Sequence, residues 1–198
     1  MKGAVFVISG PSGSGKTTLL KKLLQSKTLK AKLVKSVSLT TRPRRTGERE
    51  GRDYFFVTPE QFRKARKDKK ILEWTRYLGY YYATPKGYVD LQLSRGRSMA
   101  LCLDLRGALR LKRIYQERTV TIFVLPPSVK ALQRRIEKRC QKTKKDEICR
   151  RVRFSREELS ACSRYDYCVL NSDLRQAVKE LRRIVAGEIA LKERGSRK

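Results

Sequence analysis

The sequence predicts an α/β fold, a parallel sheet flanked by helices with a small, mostly β insertion. Three observations predict it. A short apolar run at residues 4–8 leads into Gly10-Pro11-Ser12-Gly13-Ser14-Gly15-Lys16-Thr17, and a segment with Leu20, Leu23 and Leu24 on one face comes next. That is the strand, loop and helix order of a phosphate-binding loop, G-x-x-x-x-G-K-T. Further along, short apolar runs alternate with helical periodicity, which implies parallel strands covered on both faces. Between about residues 39 and 85 the alternation gives way to aromatic, β-prone sequence.

Each element has its own warrant. In the loop, glycines let successive N–H groups converge into an anion nest, with the positive end of the next helix behind it. The phosphate contacts fall on Gly10, Pro11, Ser12, Gly13, Ser14, Gly15, Lys16, Thr17 and Thr18. Lys16 would reach the β- and γ-phosphates, and the Thr17 hydroxyl would hold Mg²⁺. Residues 32–38 read as a second strand, and Pro43 interrupts regular structure in the Arg-, Gly- and Glu-rich loop 40–53. Residues 54–57 read as a strand. Thr58, Pro59 and Gln61 then mark a helix start with a capping box. Residues 71–82 suggest a hairpin turning near Gly79. Helices are expected over 86–95, 107–115, 128–139, 147–162 and 174–191, and strands over 98–103, 119–125 and 167–170. Residues 140–146 form a charged, flexible stretch between two helices, and residues 192–198 form a basic, frayed tail.

Composition narrows the function. The 198 residues suffice for one core with small insertions. Lys and Arg total 49 against 19 Asp and Glu, a net charge of +30, which favours anionic partners. The charge admits a nucleic-acid partner, but it is spread along the chain without a dedicated basic arm or a recognised RNA- or DNA-binding motif, so that partner is not favoured. There is no histidine, which excludes Ser-His-Asp triads and His-bearing zinc sites. The five cysteines, Cys102, Cys140, Cys149, Cys162 and Cys168, include no C-x-x-C pair, as expected of reduced thiols in a cytoplasmic protein. No apolar run is long enough for a signal peptide or a membrane span. Oligomeric state is not readable from the chain.

The remaining motifs occur in a specific order: Ser38-Leu39-Thr40-Thr41-Arg42-Pro43-Arg44-Arg45, then Gly47-Glu48, Gly51-Arg52-Asp53-Tyr54, Glu73-Trp74, Tyr81-Tyr82-Ala83-Thr84 and Asp104-Leu105-Arg106-Gly107. With the phosphate loop, this order and spacing resemble guanylate kinase, over about residues 3 to 185. The resemblance implies a P-loop nucleoside monophosphate kinase: a core at 1–38 and 86–185, a GMP-binding insertion at about 39–85, a helical lid at about 136–151, and a basic tail at 186–198. It places the GMP-phosphate ligands on Arg42, Arg45, Tyr54 and Tyr82, and the guanine-reading positions on Ser38, Glu73, Thr84 and Asp104. Two guanidiniums can fork a phosphate, and a carboxylate can accept from guanine N1–H and the exocyclic amine together. Adenine lacks that N1–H, and such a mismatch can reject an analogue by about 10⁴–10⁵.

The resemblance also places lid arginines on Arg135, Arg139 and Arg151, with Arg150 a rival for the last because this lid is one residue longer. This sequence departs from the family at Cys102, where an acidic residue is usual, at Lys142, Lys144 and Lys145, where the lid is usually acidic, and at Ala83 and Arg106 in place of Gly and Gln.

The activity that the resemblance implies is transfer of the γ-phosphoryl group of ATP to GMP, and also to dGMP, catalysed by Lys16, Arg42, Arg135, Arg139 and Arg151 with Mg²⁺. The attacking phosphate oxygen is already ionised at neutral pH and needs no general base. The alternatives are a catalytically weakened guanylate kinase-like binding module and a ribose-phosphate kinase of the same fold. An intact phosphate loop argues against the first. Glu73 and Asp104 argue against the second.

Overall fold

The first strand, β1 (Val5–Ser9), is buried along its whole length. Its side chains alternate as a pleated strand requires. Phe6 and Ile8 join one apolar cluster, and Val5 and Val7 join another on the opposite face. A computed structural model describes residues 3–139 and 145–195, and within these the side chains of all but 139, 145–148, 150, 151 and 195.

Four further strands complete a five-stranded sheet: β2 (Leu33–Lys35), β7 (Ser98–Cys102), β8 (Thr119–Leu125) and β9 (Tyr167–Leu170). Their spatial order is β2-β7-β1-β8-β9, and every pair is parallel. All C-terminal ends therefore share one edge, where ligands of open α/β sheets bind. Helices α1 (Lys16–Leu24) and α7 (Leu174–Gly195) cover one face through Leu19, Leu20, Leu23, Leu181 and Val185. Helices α3 (Lys86–Ser94) and α4 (Leu105–Tyr115) cover the other through Val89, Leu93, Ala108 and Leu111.

The insertion is a second sheet of four strands, β3 (Ser38–Thr40), β4 (Tyr54–Phe56), β5 (Ile71–Tyr77) and β6 (Tyr80–Pro85), in the order β4-β3-β6-β5. Leu78 and Gly79 join β5 to β6 with φ of 51° and 87°, as a two-residue type I′ hairpin demands. Helix α2 (Pro59–Lys67) carries the expected capping box. Thr58 accepts from the Gln61 N–H, and the Gln61 side chain accepts from the Thr58 N–H. Phe62 of α2 is 2% exposed. It stacks on Tyr81 with ring centroids 4.8 Å apart and meets the edge of Trp74 at 6.3 Å, pinning α2 to one face of the second sheet.

The structure differs from the sequence reading in four places. The apolar run at 32–38 is not one strand. It ends as β2 in the main sheet, and after Ser36 and Val37 the chain joins the second sheet as β3. The helix expected over 147–162 is α6 (Lys145–Leu159), followed by a 3-10 turn, Ser160–Arg164. The tail begins later than expected, because α7 continues to Gly195. Ile189 is 6% exposed in the core, and Lys32 pairs with Glu193 at 2.7 Å. The expectation of reduced thiols is corrected at Cys162 and Cys168, which are bonded, with Cα atoms 6.5 Å apart. The 3-10 turn folds the chain back into β9 and brings together cysteines six residues apart. Cys102 and Cys149 are free thiols. No described helix is long and apolar enough to cross a membrane.

Candidate active site

The loop between β1 and α1 is shaped by its glycines. Gly10, Gly13 and Gly15 have φ of 136°, 84° and 97°, conformations a side chain rarely tolerates. A Cβ on Gly10 would lie 2.5 Å from the Val124 carbonyl, and one on Gly15 would lie 2.2 Å from Asn171 Nδ2. Asn171, just past β9, donates to the Ser14 carbonyl at 2.7 Å. Lys16 Nζ donates to the carbonyls of Gly10 at 2.5 Å and Pro11 at 2.9 Å, so the ammonium lies across the loop. Gly15 precedes the first residue of α1, which brings the helix's free N–H groups to the loop. Thr17 and Thr18 are exposed.

The second sheet presents a polar face by register. Ser38 pairs with Tyr54, Thr40 with Tyr82, Thr75 with Tyr82, and Glu73 with Thr84. Directly paired residues project to the same side, and so do residues two apart on a strand. Ser38, Tyr54, Tyr82, Thr84 and Glu73 therefore share one face, while Trp74 and Tyr81 face α2 on the other. Glu73 and Thr84 are 4% and 0% exposed. The Thr84 hydroxyl donates to Glu73 Oε1 at 2.5 Å. Burial raises the Glu73 carboxyl to about 7. Thr84 opposes that rise, and nearby Asp104 adds to it. Asp104 caps α4 by accepting from the Gly107 N–H at 2.8 Å. A Cβ on Gly107 would lie 3.0 Å from Glu73 Oε2, so the backbone comes close to the carboxylate there.

Arg42 is 7% exposed. Its Nη2 is forked by Glu48 at 2.7 and 2.9 Å, and its Nη1 donates to the Pro43 carbonyl at 2.7 Å. The guanidinium stands 5.5 Å from the Tyr54 ring centroid. Burial opposes its charge, but Glu48 and Tyr82 outweigh burial and leave its pKa raised. The Tyr54 and Tyr82 rings meet edge-on at 6.0 Å, and burial pushes the Tyr54 phenol up. The Arg45 side chain is exposed, and its N–H donates to Glu48 at 2.9 Å.

The two half-sites meet at the end of β7. Asp104 is close enough to Glu73 to raise its pKa, and Cys102 is close enough to Lys16 for the ammonium to act on its thiol. Arg135, on α5 (Val129–Arg139), reaches the loop from the other side, within 3.5 Å of the Gly13, Ser14 and Asn171 carbonyls. The Arg139, Arg150 and Arg151 side chains, and residues 140–144 of the lid expected over about 136–151, lie outside the described residues. Sequence reasoning missed Glu48 as the partner of Arg42 and Asn171 as a brace of the loop. The signals were present: an acid six residues beyond an arginine, and an asparagine directly after an apolar strand.

A family model described as guanylate kinase matches residues 2–188. A guanylate kinase of Wolbachia from Brugia malayi is 39% identical over 187 residues, covering 94% of each chain. One from Caldanaerobacter subterraneus is 41% identical over 188 residues, covering 94% of this chain and 88% of the relative. The crystal structure of guanylate kinase from Anaplasma phagocytophilum has a TM-score of 0.75 and 31% identity, covering 94% of this chain and 86% of that one. With the phosphate loop, the polar face of the second sheet and a match along nearly its whole length, the chain belongs to the guanylate kinase family.

Proposed function

We propose that the chain transfers the γ-phosphoryl group of ATP to GMP, giving ADP and GDP, with dGMP as a second acceptor because it offers the same base and phosphate. One observation carries the reading. A buried carboxylate, Glu73, is aligned by the Thr84 hydroxyl beside the start of α4, where Asp104 and Gly107 approach it. Guanine offers its N1–H and amino donors to such an acceptor, and adenine does not. Ser38 and Asp104 complete the base-reading set, and Arg42, Arg45, Tyr54 and Tyr82 take the GMP phosphate. Arg42 exchanges its Glu48 partner for that phosphate, or holds both at once.

The loop from Gly10 to Thr18 holds the ATP phosphates through main-chain N–H groups, and Lys16 neutralises charge on the γ-phosphoryl group. The attacking GMP oxygen carries no proton at neutral pH, so catalysis is positioning and charge neutralisation, shared by Lys16, Arg42, Arg135 and the lid residues Arg139 and Arg151. Among the described residues no group of three or more His, Cys, Asp or Glu could hold an ion, while Thr17, next to Lys16 in the first turn of α1, is exposed and carries a hydroxyl. One hard oxygen plus substrate phosphates fits Mg²⁺, which keeps several waters and takes few protein ligands. Thr17 would hold the ion, which when bound neutralises phosphate charge. Closure of insertion and lid excludes water that would otherwise hydrolyse ATP.

The test is a coupled assay with GMP, dGMP, AMP, CMP and UMP as acceptors. Turnover on GMP and dGMP with at least about 10⁴-fold weaker use of AMP supports the reading. Equal turnover on AMP, or none on GMP, refutes it.

A further inference from the structure

The second sheet has two faces, and the residues assigned to GMP occupy one of them. On the other, Trp74 and Tyr81 lie against α2, and Arg76 joins them because it pairs directly with Tyr81. Trp74 is 44% exposed, although Phe62 and Tyr81 meet its ring at 6.3 and 5.7 Å. Two guanidiniums flank this aromatic group. Arg66 of α2 stands 5.3 Å from the centre of the Trp74 ring, and Arg76 stands 5.7 Å from that of Tyr81. Arg66, Trp74, Tyr81 and Arg76 thus form one continuous row.

The charge around the row is nearly all of one sign. Residues 63–70 carry six Lys and Arg against Asp68 alone, and all six cations are exposed. Lys86, also exposed, is brought beside them, since its N–H donates to the Lys70 carbonyl at 2.9 Å. Two acids answer this charge: Glu60 lies 2.7 Å from Arg63, and Asp68 lies 3.6 Å from Lys70. Cations in the last turn of a helix complement its dipole. That does not account for the whole cluster, because Arg63 has Arg66 and Lys67 three and four residues on, and such like-charge neighbours loosen a helix. Nor does it account for an exposed tryptophan among the charges. A polyanion laid on this face would relieve the repulsion and gain the release of its own counterions. Among the described residues, Trp74 is the sole exposed large apolar side chain on α2 or on this face of the sheet. The face therefore lacks the apolar patch that a lipid surface would take up. A flat ring between arginines instead suits unpaired bases, which stack on aromatics and on guanidiniums while cations track the phosphates.

We propose that this outer face of the insertion binds single-stranded nucleic acid without sequence preference. Trp74 is the stacking platform, Arg66 and Arg76 flank it, and the cations of residues 63–70 hold the backbone. The site lies on the opposite side of the sheet from Glu73 and Thr84, and it is independent of the acceptor reading.

The experiment titrates the full chain with oligothymidylate of about 15 nucleotides, which offers no guanine edge to Glu73. Trp74 is the only tryptophan in the chain, so quenching of its fluorescence reports the stack directly. The expected result is saturable quenching with a Kd of about 10⁻⁶–10⁻⁴ M at physiological salt, weakening with salt at a log–log slope of about −0.7 per phosphate held. Excess GMP leaves the titration unchanged. Variants are compared by anisotropy of the labelled oligonucleotide, with thermal midpoints recorded for each. Trp74→Leu weakens binding about 5- to 100-fold and keeps the salt slope. The double variant Arg66→Gln/Arg76→Gln weakens it about 10-fold or more and flattens the slope by about 0.7 for each cation removed. This pair leaves the packed rings in place, so it decides even if Trp74→Leu fails to fold. Lys179→Gln/Arg182→Gln removes the same charge from exposed positions on α7 and changes affinity by no more than about 2-fold. An equal loss in that control means that net charge alone binds the strand, and it overturns the proposal. Displacement by GMP, equal quenching by the duplex with oligoadenylate, or an emission shift with phosphatidylserine vesicles but none with oligothymidylate overturns it as well.

Discussion

Replacing Glu73 by glutamine separates what this carboxylate does for folding from what it does for binding. Glu73 is 4% exposed, and its pKa rises from 4.5 to about 7, chiefly through burial. The folded state therefore binds the proton more tightly than the unfolded chain. Stability is unaffected below about pH 4.5, where both states are protonated, and falls as pH rises towards and past 7. A shift of this size destabilises the folded protein by roughly 3 kcal/mol at pH 8 and by roughly 1 kcal/mol at pH 5.5. Glutamine keeps the oxygen that accepts from Thr84 and never ionises. The variant gains roughly 2 kcal/mol on wild type between pH 5.5 and pH 8, read by urea unfolding at both pH values. Other titrating groups cancel in that difference. The same substitution weakens GMP, because the amide presents a donor where guanine offers donors. In wild type, GMP affinity falls as pH drops below about 7, since binding requires the ionised carboxylate, and the variant loses that dependence. A wild-type to variant difference that does not change with pH, or GMP affinity that is flat in wild type from pH 5.5 to 8, refutes the reasoning.

Three further substitutions probe the parts around Glu73. Gly15→Ala puts a Cβ at φ +97° and 2.2 Å from Asn171 Nδ2, so the loop must shift, and ATP affinity by titration drops at least about 10-fold with the folded sheet intact by circular dichroism. Phe62→Ala removes the ring that holds α2 to the second sheet, costing about 3–5 kcal/mol in denaturant unfolding and raising KM for GMP more than KM for ATP. Arg42→Lys replaces a fork by a point charge, leaving Glu48 and Pro43 to share one ammonium, and raises KM for GMP about 10-fold or more with KM for ATP nearly unchanged.

Legibility followed the range of the interactions. The phosphate loop, the capping box at Thr58 and the hairpin at Leu78 and Gly79 are written in consecutive residues, because glycine conformations, side-chain caps and turn geometry are local. The polar face of the insertion was legible only as a set, since no single Tyr or Glu distinguishes a site from strand packing. Where the structure departed, a partner distant in the fold decided. The run at 32–38 looks like one strand, but β7 claims Leu33–Lys35, and the second sheet claims Ser38 through its pairing with Tyr54 of β4. Helix α7 continues past residue 191 because Ile189 and Glu193 find partners in the core and at Lys32. The Cys162–Cys168 bond depends on a 3-10 turn with no spacing signature. The Arg42–Glu48 pair was hidden because both residues read equally well as solvated loop charges.

The most direct measurement is a crystal structure of the protein with GMP bound. The account places guanine N1–H and its amino group within hydrogen-bonding distance of the Glu73 carboxylate, and the phosphate between the Arg42 guanidinium and the Tyr54 and Tyr82 hydroxyls. A purine seated away from Glu73, or a phosphate held elsewhere than on that face of the second sheet, contradicts it.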